Sequence, residues 1–318
     1  MNITNIRINT PEPVMLQRRV YGSGTSTMYQ GISASGGLVA VKVFHKSALA
    51  REMAVIEKTA SIAIQEVHAE TLPLVLAKHY GVQSRTVALA PFITGITVRE
   101  SIRYRRFIAQ FSECSIDAVA VDLALSISLD VCKSLGILHQ EVYGAGDTKT
   151  RMVHGDLGPK NLITDTQGVT HTIDLGGCLP ETQTQNPDAA YCNPFYCSPE
   201  QSRVESFDHR SDQFTLGMVL YEIITGNHPF VQNPNSTETA VLHAIKTGTS
   251  RELRKFNCSL PKDLENLVRK TLQKDREKRY ASITEVEAEL KSIQQSWHEK
   301  HSPVSFGQAV RAINLLNE

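Results

Sequence analysis

The sequence predicts an α+β fold in two lobes, a small β-rich N-terminal lobe carrying one long helix and a larger, mostly α-helical C-terminal lobe. Three observations predict it. From Val14 to Phe44, short apolar runs are broken by glycine and serine turns, as in consecutive hairpins. From Ala48 the apolar spacing turns helical for about five turns. Beyond Thr94, long apolar runs of helical spacing replace the strand patterns almost entirely. The division is a lead at 1–13, a first lobe at 14–93, a second at 94–300 and a tail at 301–318.

In chain order, Val14-Met15-Leu16 and Leu38 to Phe44 read as strands around the turn Gly22-Ser23-Gly24-Thr25-Ser26-Thr27. Ala48 to about Val67 is helical, with Leu49, Met53, Val55, Ile56, Ala60, Ile62, Ala63 and Ile64 assigned to its apolar side. Leu72 to Ala77 and Thr86 to Phe92 are further strands, and Thr94-Gly95-Ile96-Thr97 turns into the helical region. Asp117 to His139 is a long apolar helix, and Glu141 to Arg151 a polar connection. Pro180 to Pro199, rich in Thr, Gln, Asn and Pro, has no period and reads as a surface loop. Helices follow at Asp212 to Thr225 and at about 239–247, 261–273 and 282–297. In the tail, Phe306, Val310, Ile313 and Leu316 keep amphipathic spacing, which favours packing on the larger lobe over docking a partner.

Composition narrows the function classes. With 33 basic and 33 acidic residues the 318-residue chain has zero formal charge, which gives no reason to expect a nucleic-acid partner. No apolar run reaches the roughly 18 residues of a membrane span, and residues 1–13 lack the marks of a secretory leader. The six cysteines form no Cys-x-x-Cys pair and keep no company of histidines, so free thiols in a cytoplasm are expected. Delivery from one cytoplasm into another would leave no trace in such a sequence. Oligomeric state is equally illegible.

The chemistry concentrates in His154-Gly155-Asp156-Leu157-Gly158-Pro159-Lys160-Asn161. A carboxylate and a carboxamide lie five residues apart in a tight loop, and a second acid, Asp174, follows thirteen residues after Asn161. One acid to orient a hydroxyl, with an amide oxygen and another acid to hold Mg²⁺, is what phosphoryl transfer from ATP requires. These segments resemble the catalytic and metal-binding loops of protein kinases, with HGD for HRD and DLG for DFG.

The resemblance runs over about residues 15–295 with its motifs in family order. It implies that Gly22 and Gly24 approach nucleotide phosphates, Thr27 standing for the third glycine, and that Lys42 in Val39-Ala40-Val41-Lys42 pairs the α/β-phosphates. Glu52 and Glu57 are the candidates for the lysine's acidic partner. Glu52 is preferred because Val55 and Ile56 follow it, whereas Ser61 lies one turn beyond Glu57. Ala90-Pro91-Phe92-Ile93 resembles the adenine-binding hinge, with Ala90 at the gatekeeper position and the Pro91 carbonyl and Ile93 as the backbone contacts. Asn193 to Glu200 resembles the loop ending in APE, and Ser211 to Gly226 the buried helix beneath the catalytic loop. Arg279 is then the partner of Glu200.

Three departures matter. Gly155 replaces the arginine that clamps a phosphorylated activation loop, so the loop hydroxyls (Thr182, Thr184, Tyr191) are not expected to act as a switch. Gly158 replaces a lysine that touches the transferred phosphate, and Lys160 stands where tyrosine kinases supply an arginine to that region. Asn193 replaces the threonine set against the catalytic acid and is expected to make a comparable hydrogen bond. The reading is therefore an ATP- and Mg²⁺-dependent protein kinase acting on protein Ser/Thr hydroxyls. In it Asp156, Lys42, Glu52 and Lys160 are catalytic, and Asn161 and Asp174 bind metal. Two rivals stay open: a nucleotide-binding pseudokinase or scaffold, and a small-molecule kinase of the aminoglycoside-kinase type.

Overall fold

Antiparallel hairpins build the first part of the chain. The computed structural model describes residues 7–8, 10–11, 13–65, 75–82, 85–143, 149–184, 192–233 and 235–317. Contacts divide it into two units, one running to Thr94 and resuming for Asp174–Cys178, the other comprising chiefly Gly95–Ile173 and Leu179 onward.

The first unit holds strands β1 (Arg7–Ile8), β2 (Val14–Gly22), β3 (Ser26–Ser33) and β4 (Leu38–Phe44), helix α1 (Ala48–Gln65), and strands β5 (Lys78–Val82) and β6 (Arg85–Pro91). The six strands form one antiparallel sheet in the order β1-β2-β3-β4-β6-β5. Its core gathers Ile8, Val14, Leu16, Val41, Val87 and Leu89. Two expectations need correction here. The strand expected at Leu72 to Ala77 lies instead at Lys78–Val82, and residues 72–74 lie outside the described ones. Pairing decides this: Val82 sits opposite Arg85, so a short connection fixes the register whatever the hydropathy upstream. On α1 the buried face is Ala50, Ala54, Glu57, Ala60, Ser61 and Ile64, while Leu49, Val55 and Ile62 are exposed. Small side chains at helical spacing let the helix lie close to its neighbours, and that face carries a glutamate at its centre.

The second unit opens with β7 (Gly95–Thr97), α2 (Val98–Phe111), α3 (Ile116–Leu138) and the short strands β8 (Val142–Tyr143), β9 (Lys149–Thr150) and β10 (Met152–Val153). Strands β11 (Leu162–Asp165), β12 (Thr170–Thr172) and β13 (Leu179–Pro180) follow. Then come α4 (Pro199–Ser202), α5 (Arg210–Thr225), α6 (Glu238–Thr247), α7 (Lys262–Thr271), α8 (Ile283–His298) and α9 (Phe306–Asn317). Helices α3 and α5 are buried on nearly every side and form the centre of this unit, with α8 and α7 against them. Strands β7, β11 and β12 make a small sheet beside the catalytic loop. Gly95 is required there, because a Cβ would stand 2.1 Å from the Thr164 carbonyl oxygen across the ladder. Helix α9 packs on β7 and β11 through Phe306, Ala309, Val310 and Ile313. Leu316, assigned to that stripe from the sequence, is exposed. Among the described residues no helix is long and apolar enough to cross a membrane.

Candidate active site

In the first unit, β2 ends at Gly22 and β3 begins at Ser26, so the glycine turn is the three residues between. Ser23 Oγ accepts the N–H groups of Thr25 (3.3 Å) and Ser26 (3.1 Å), and holds the turn from within. His45, just past β4, closes it from outside. Its N–H donates to the Thr25 carbonyl (2.7 Å), its Nδ1 to the Gly24 carbonyl (3.0 Å), and its Nε2 lies 3.1 Å from Thr27 Oγ1. A Cβ at Gly24 would meet nothing within 4 Å, so the turn is open at its tip.

Lys42 points from β4 into two carboxylates. Its Nζ donates to Glu57 Oε2 at 2.8 Å and to Asp174 Oδ1 at 2.6 Å. Burial pushes the ammonium's pKa down, but the charges of Asp174 and Glu57 outweigh it and hold the pKa well above its ordinary value. Lys42 is therefore a fixed cation. Burial pushes the Glu57 carboxyl up to about 7 against the opposing pull of Lys42. The preference for Glu52 is thus corrected: Glu52 is exposed on α1, and Glu57 lies on the buried face beside the lysine. Ser61, read as evidence against Glu57, is itself buried one turn further on. His79 on β5 stands 3.7 Å from Glu57 Oε1, and burial lowers its pKa to about 4, so at neutral pH it adds no charge.

Asp174 adopts left-handed backbone (φ 64°, ψ 85°) and its Oδ1 also accepts the Gly176 N–H at 3.1 Å. A non-glycine residue in that region is uncommon and is held here by its own side-chain bonds. In the expected hinge, Ala90 lies opposite Ala40 and Pro91 opposite Val39, and the Phe92 N–H donates to the Leu38 carbonyl at 3.3 Å. Ile93 follows, half-buried.

In the second unit the catalytic loop hangs from Asp212. Its Oδ2 accepts the His154 N–H (2.9 Å) and lies 2.9 Å from His139 Nε2, while Oδ1 accepts the Gly155 N–H (3.0 Å). Burial raises the Asp212 pKa, but the hydrogen bond and charge of His139, with the His154 contacts, bring it below its ordinary value. Gly155 takes φ 72°, a conformation that costs glycine nothing, and its carbonyl accepts Gln201 Nε2 at 2.9 Å. Asp156 comes next. Asn161 Nδ2 donates to its carbonyl (2.9 Å) and to its Oδ2 (3.4 Å), and the Asn193 N–H donates to its Oδ1 (2.9 Å). Asn193 therefore reaches Asp156 through its backbone, not through its side chain as expected. Its Oδ1 is engaged by the Phe195 N–H at 3.0 Å, an Asx turn that competes with the outward contact. Lys160 is exposed on the loop, next to Asn161. The Asn161 carbonyl accepts the N–H of Ile173, the residue before Asp174.

Asn161 in the second unit donates through its amide nitrogen, and Asp174 in the first offers a carboxylate whose side chain is 35% exposed. Oxygen donors of these two kinds fit a hard divalent ion such as Mg²⁺. Glu200, at the start of α4, forms a two-bond buried pair with Arg279 (2.6 and 2.8 Å) and accepts Ser211 Oγ at 2.6 Å. Sequence reasoning did not anticipate His79, His45 or Gln201. Asp212 had a readable signal, since an acid opening an apolar helix must find buried donors.

The first unit holds a lysine between two carboxylates, and the second holds an Asp/Asn loop slung from a buried helix, the two motif sets expected of a phosphotransferase. The protein kinase domain family matches residues 17–291, and the chain belongs to it. It is similar to a probable serine/threonine-protein kinase of Clostridium perfringens, 29% identical over 178 residues, covering 55% of this chain and 24% of the relative. Serine/threonine-protein kinase PknB of Mycobacterium leprae is 31% identical over 170 residues, 52% of this chain and 25% of the relative. Tyrosine-protein kinase MasK of Myxococcus xanthus is 30% identical over 164 residues, 51% and 25% respectively. The matched segments thus span about a quarter of the length of these relatives.

Proposed function

We propose that this chain transfers the γ-phosphate of ATP to Ser or Thr hydroxyls of a protein substrate. The observation that carries the reading is the setting of Asp156, whose carboxylate is aimed by the Asn193 N–H and Asn161 Nδ2 while its loop is tied to buried Asp212. A carboxylate so held accepts a hydrogen bond from the acceptor hydroxyl and orients its lone pair for attack.

Lys42, its pKa raised by Asp174 and Glu57, positions the α/β-phosphates, and Glu57 fixes the direction of its ammonium. The turn from Gly22 to Ser26 covers the phosphates through its open tip at Gly24, and the Pro91 carbonyl and Ile93 backbone contact adenine, with Ala90 behind it. Asn161 and Asp174 would be the residues to hold Mg²⁺, which when bound would shield the charge of the phosphates. Lys160, free to swing on the loop surface, sets a cation against the charge that develops in transfer. The relatives named serine/threonine kinases support that acceptor class, and the tyrosine kinase among them makes tyrosine the competing acceptor.

The test is ATP consumption and labelling of a generic acceptor protein by the purified chain against Asp156→Ala. Transfer by the wild type that falls by three or more orders of magnitude in Asp156→Ala supports the assignment. Nucleotide binding without transfer in the wild type points to a scaffold.

A further inference from the structure

Thr27, which stands for the third glycine, has a partner across the turn. It sits in β3 opposite Gly22 and Val43, and its Oγ1 lies 3.1 Å from His45 Nε2. His45 follows Lys42 by three residues and is half-buried. One imidazole therefore spans the turn, from the Gly24 carbonyl at its tip (3.0 Å) to Thr27 at its exit. Between these two contacts the His45 N–H pins the Thr25 carbonyl at 2.7 Å. We propose that His45, paired with Thr27, is a positioning residue that holds the glycine turn in shape for the phosphates of ATP.

A carbonyl can only accept, so the contact with Gly24 places a proton on Nδ1. The neutral ring then accepts the Thr27 hydroxyl at Nε2, and both ring nitrogens are used. In a trans peptide the carbonyl and the following N–H point in opposite directions. The Gly24 and Thr25 carbonyls turn to His45, so the N–H groups of Thr25 and Ser26 turn away from it. Both N–H groups end on one oxygen, Ser23 Oγ, at 3.3 and 3.1 Å. Two successive N–H groups converging on one oxygen make an anion-binding concavity. Ser23 Oγ marks the point where a phosphate oxygen would be received, and the two carbonyls that would repel a phosphate are held on His45.

The turn has reason to need such a clamp. Gly22 and Gly24 give it more conformational freedom than other residues would, and ordering the backbone of a single residue is worth about tenfold in an equilibrium constant. His45 orders the turn in advance, which strengthens nucleotide binding without any contact between the imidazole and the nucleotide. Thr27 belongs to the same device, since a glycine in its place would offer the ring no hydroxyl.

A role toward ATP rests on the kinase reading, so one readout is taken without nucleotide. Three variants of the full chain divide the contacts. His45→Phe keeps a ring and the backbone N–H but loses both side-chain bonds, His45→Asn keeps a donor at the place of Nδ1, and Thr27→Val removes only the hydroxyl. Without nucleotide, amide exchange at Thr25 and Ser26 should quicken about tenfold in His45→Phe. Titration with ATP and Mg²⁺ should show Kd raised about tenfold in His45→Phe, less than about threefold in His45→Asn, and by an intermediate factor in Thr27→Val. At saturating ATP, kcat should stay within about twofold in all three, because the turn holds the phosphates alike before and during transfer. A His45→Phe chain that binds ATP like the wild type overturns the proposal, as does a His45→Asn chain as weak as His45→Phe. A wild type that does not bind ATP would overturn the kinase reading, whereas unchanged exchange in His45→Phe would overturn the role of His45 whatever the wild type binds.

Discussion

Lys42 illustrates how a single residue can be legible while its partner is not. A lysine inside an apolar strand is conspicuous, but its glutamate had to be chosen from a helix whose buried face is mostly alanine and serine. Of the apolar residues that pointed to Glu52, Val55 turns outward and Ile56 is only half-buried, because the helical repeat and not the largest side chains defines the face. The structure ties Lys42 to Glu57 at 2.8 Å, so Glu57→Gln should lower kcat/KM on the order of a hundredfold, the cost of misplacing a phosphate-binding group. Glu52→Gln should stay within about twofold. Steady-state kinetics on both variants decides it, and equal losses would return the role to Glu52. Lys160 raises the complementary question on the catalytic loop. It is exposed, and the nearest neighbour of a Cβ at Gly158 would be Tyr196 at 3.5 Å, an ordinary contact. Lys160→Ala should therefore lower kcat by roughly a hundredfold with little change in KM for ATP, since the interaction grows only during transfer. Adding Gly158→Lys should restore most of that loss. A Lys160→Ala enzyme with normal kcat would make Lys160 an ordinary surface lysine.

Among the elements, α3 and α5 were readable because burial on all sides leaves long uninterrupted apolar runs, whereas β5 was not, since its place is set by pairing. The four-residue α4 has too few residues for any period, yet its neighbours made it recognisable. Its N-cap Ser198 forms a capping box with Gln201, whose Nε2 also reaches the Gly155 carbonyl. Glu200 beside it is locked to Arg279. Removing one member of a buried pair strands the other charge, so Glu200→Ala and Arg279→Ala should each cost about 3–5 kcal/mol, and the double variant much less than their sum. Denaturant unfolding of the four proteins gives the coupling. The pH dependence has a definite sign. Burial works against the Glu200 carboxylate, but Arg279 and Ser211 hold its pKa below the ordinary 4.5. Its contribution is present above that value and lost as pH falls through the depressed pKa. The melting temperature of the wild type should thus drop more steeply below pH 4.5 than that of Glu200→Gln; parallel curves would show that the pair titrates elsewhere.

At the scale of the whole molecule the sequence displayed its two-part organisation through the change from strand to helix patterns, but not that Asp174–Cys178 belongs with the first unit. Helix α1 packs on Leu175–Gly177, and Lys42 bonds Asp174 across 132 residues, contacts that no local pattern encodes. The same long reach bears on regulation. In this chain the position of the phosphate-clamping arginine is Gly155, whose N–H, carbonyl and left-handed backbone are already committed to Asp212 and Gln201. The catalytic loop is thus held without a phosphate, and a phosphate on the loop after Asp174 would find no guanidinium at that position to give charge-assisted bonds. Of the hydroxyls there, Thr184 is buried and donates to the Glu181 carbonyl at 2.8 Å, which removes it as an acceptor. Thr182 is exposed, and Tyr191 lies outside the described residues. Protein purified after exhaustive phosphatase treatment should therefore match untreated protein in its initial rate of transfer. A lag abolished by pre-incubation with ATP would mean that another basic residue receives the phosphate, and that loop order in this chain depends on modification after all.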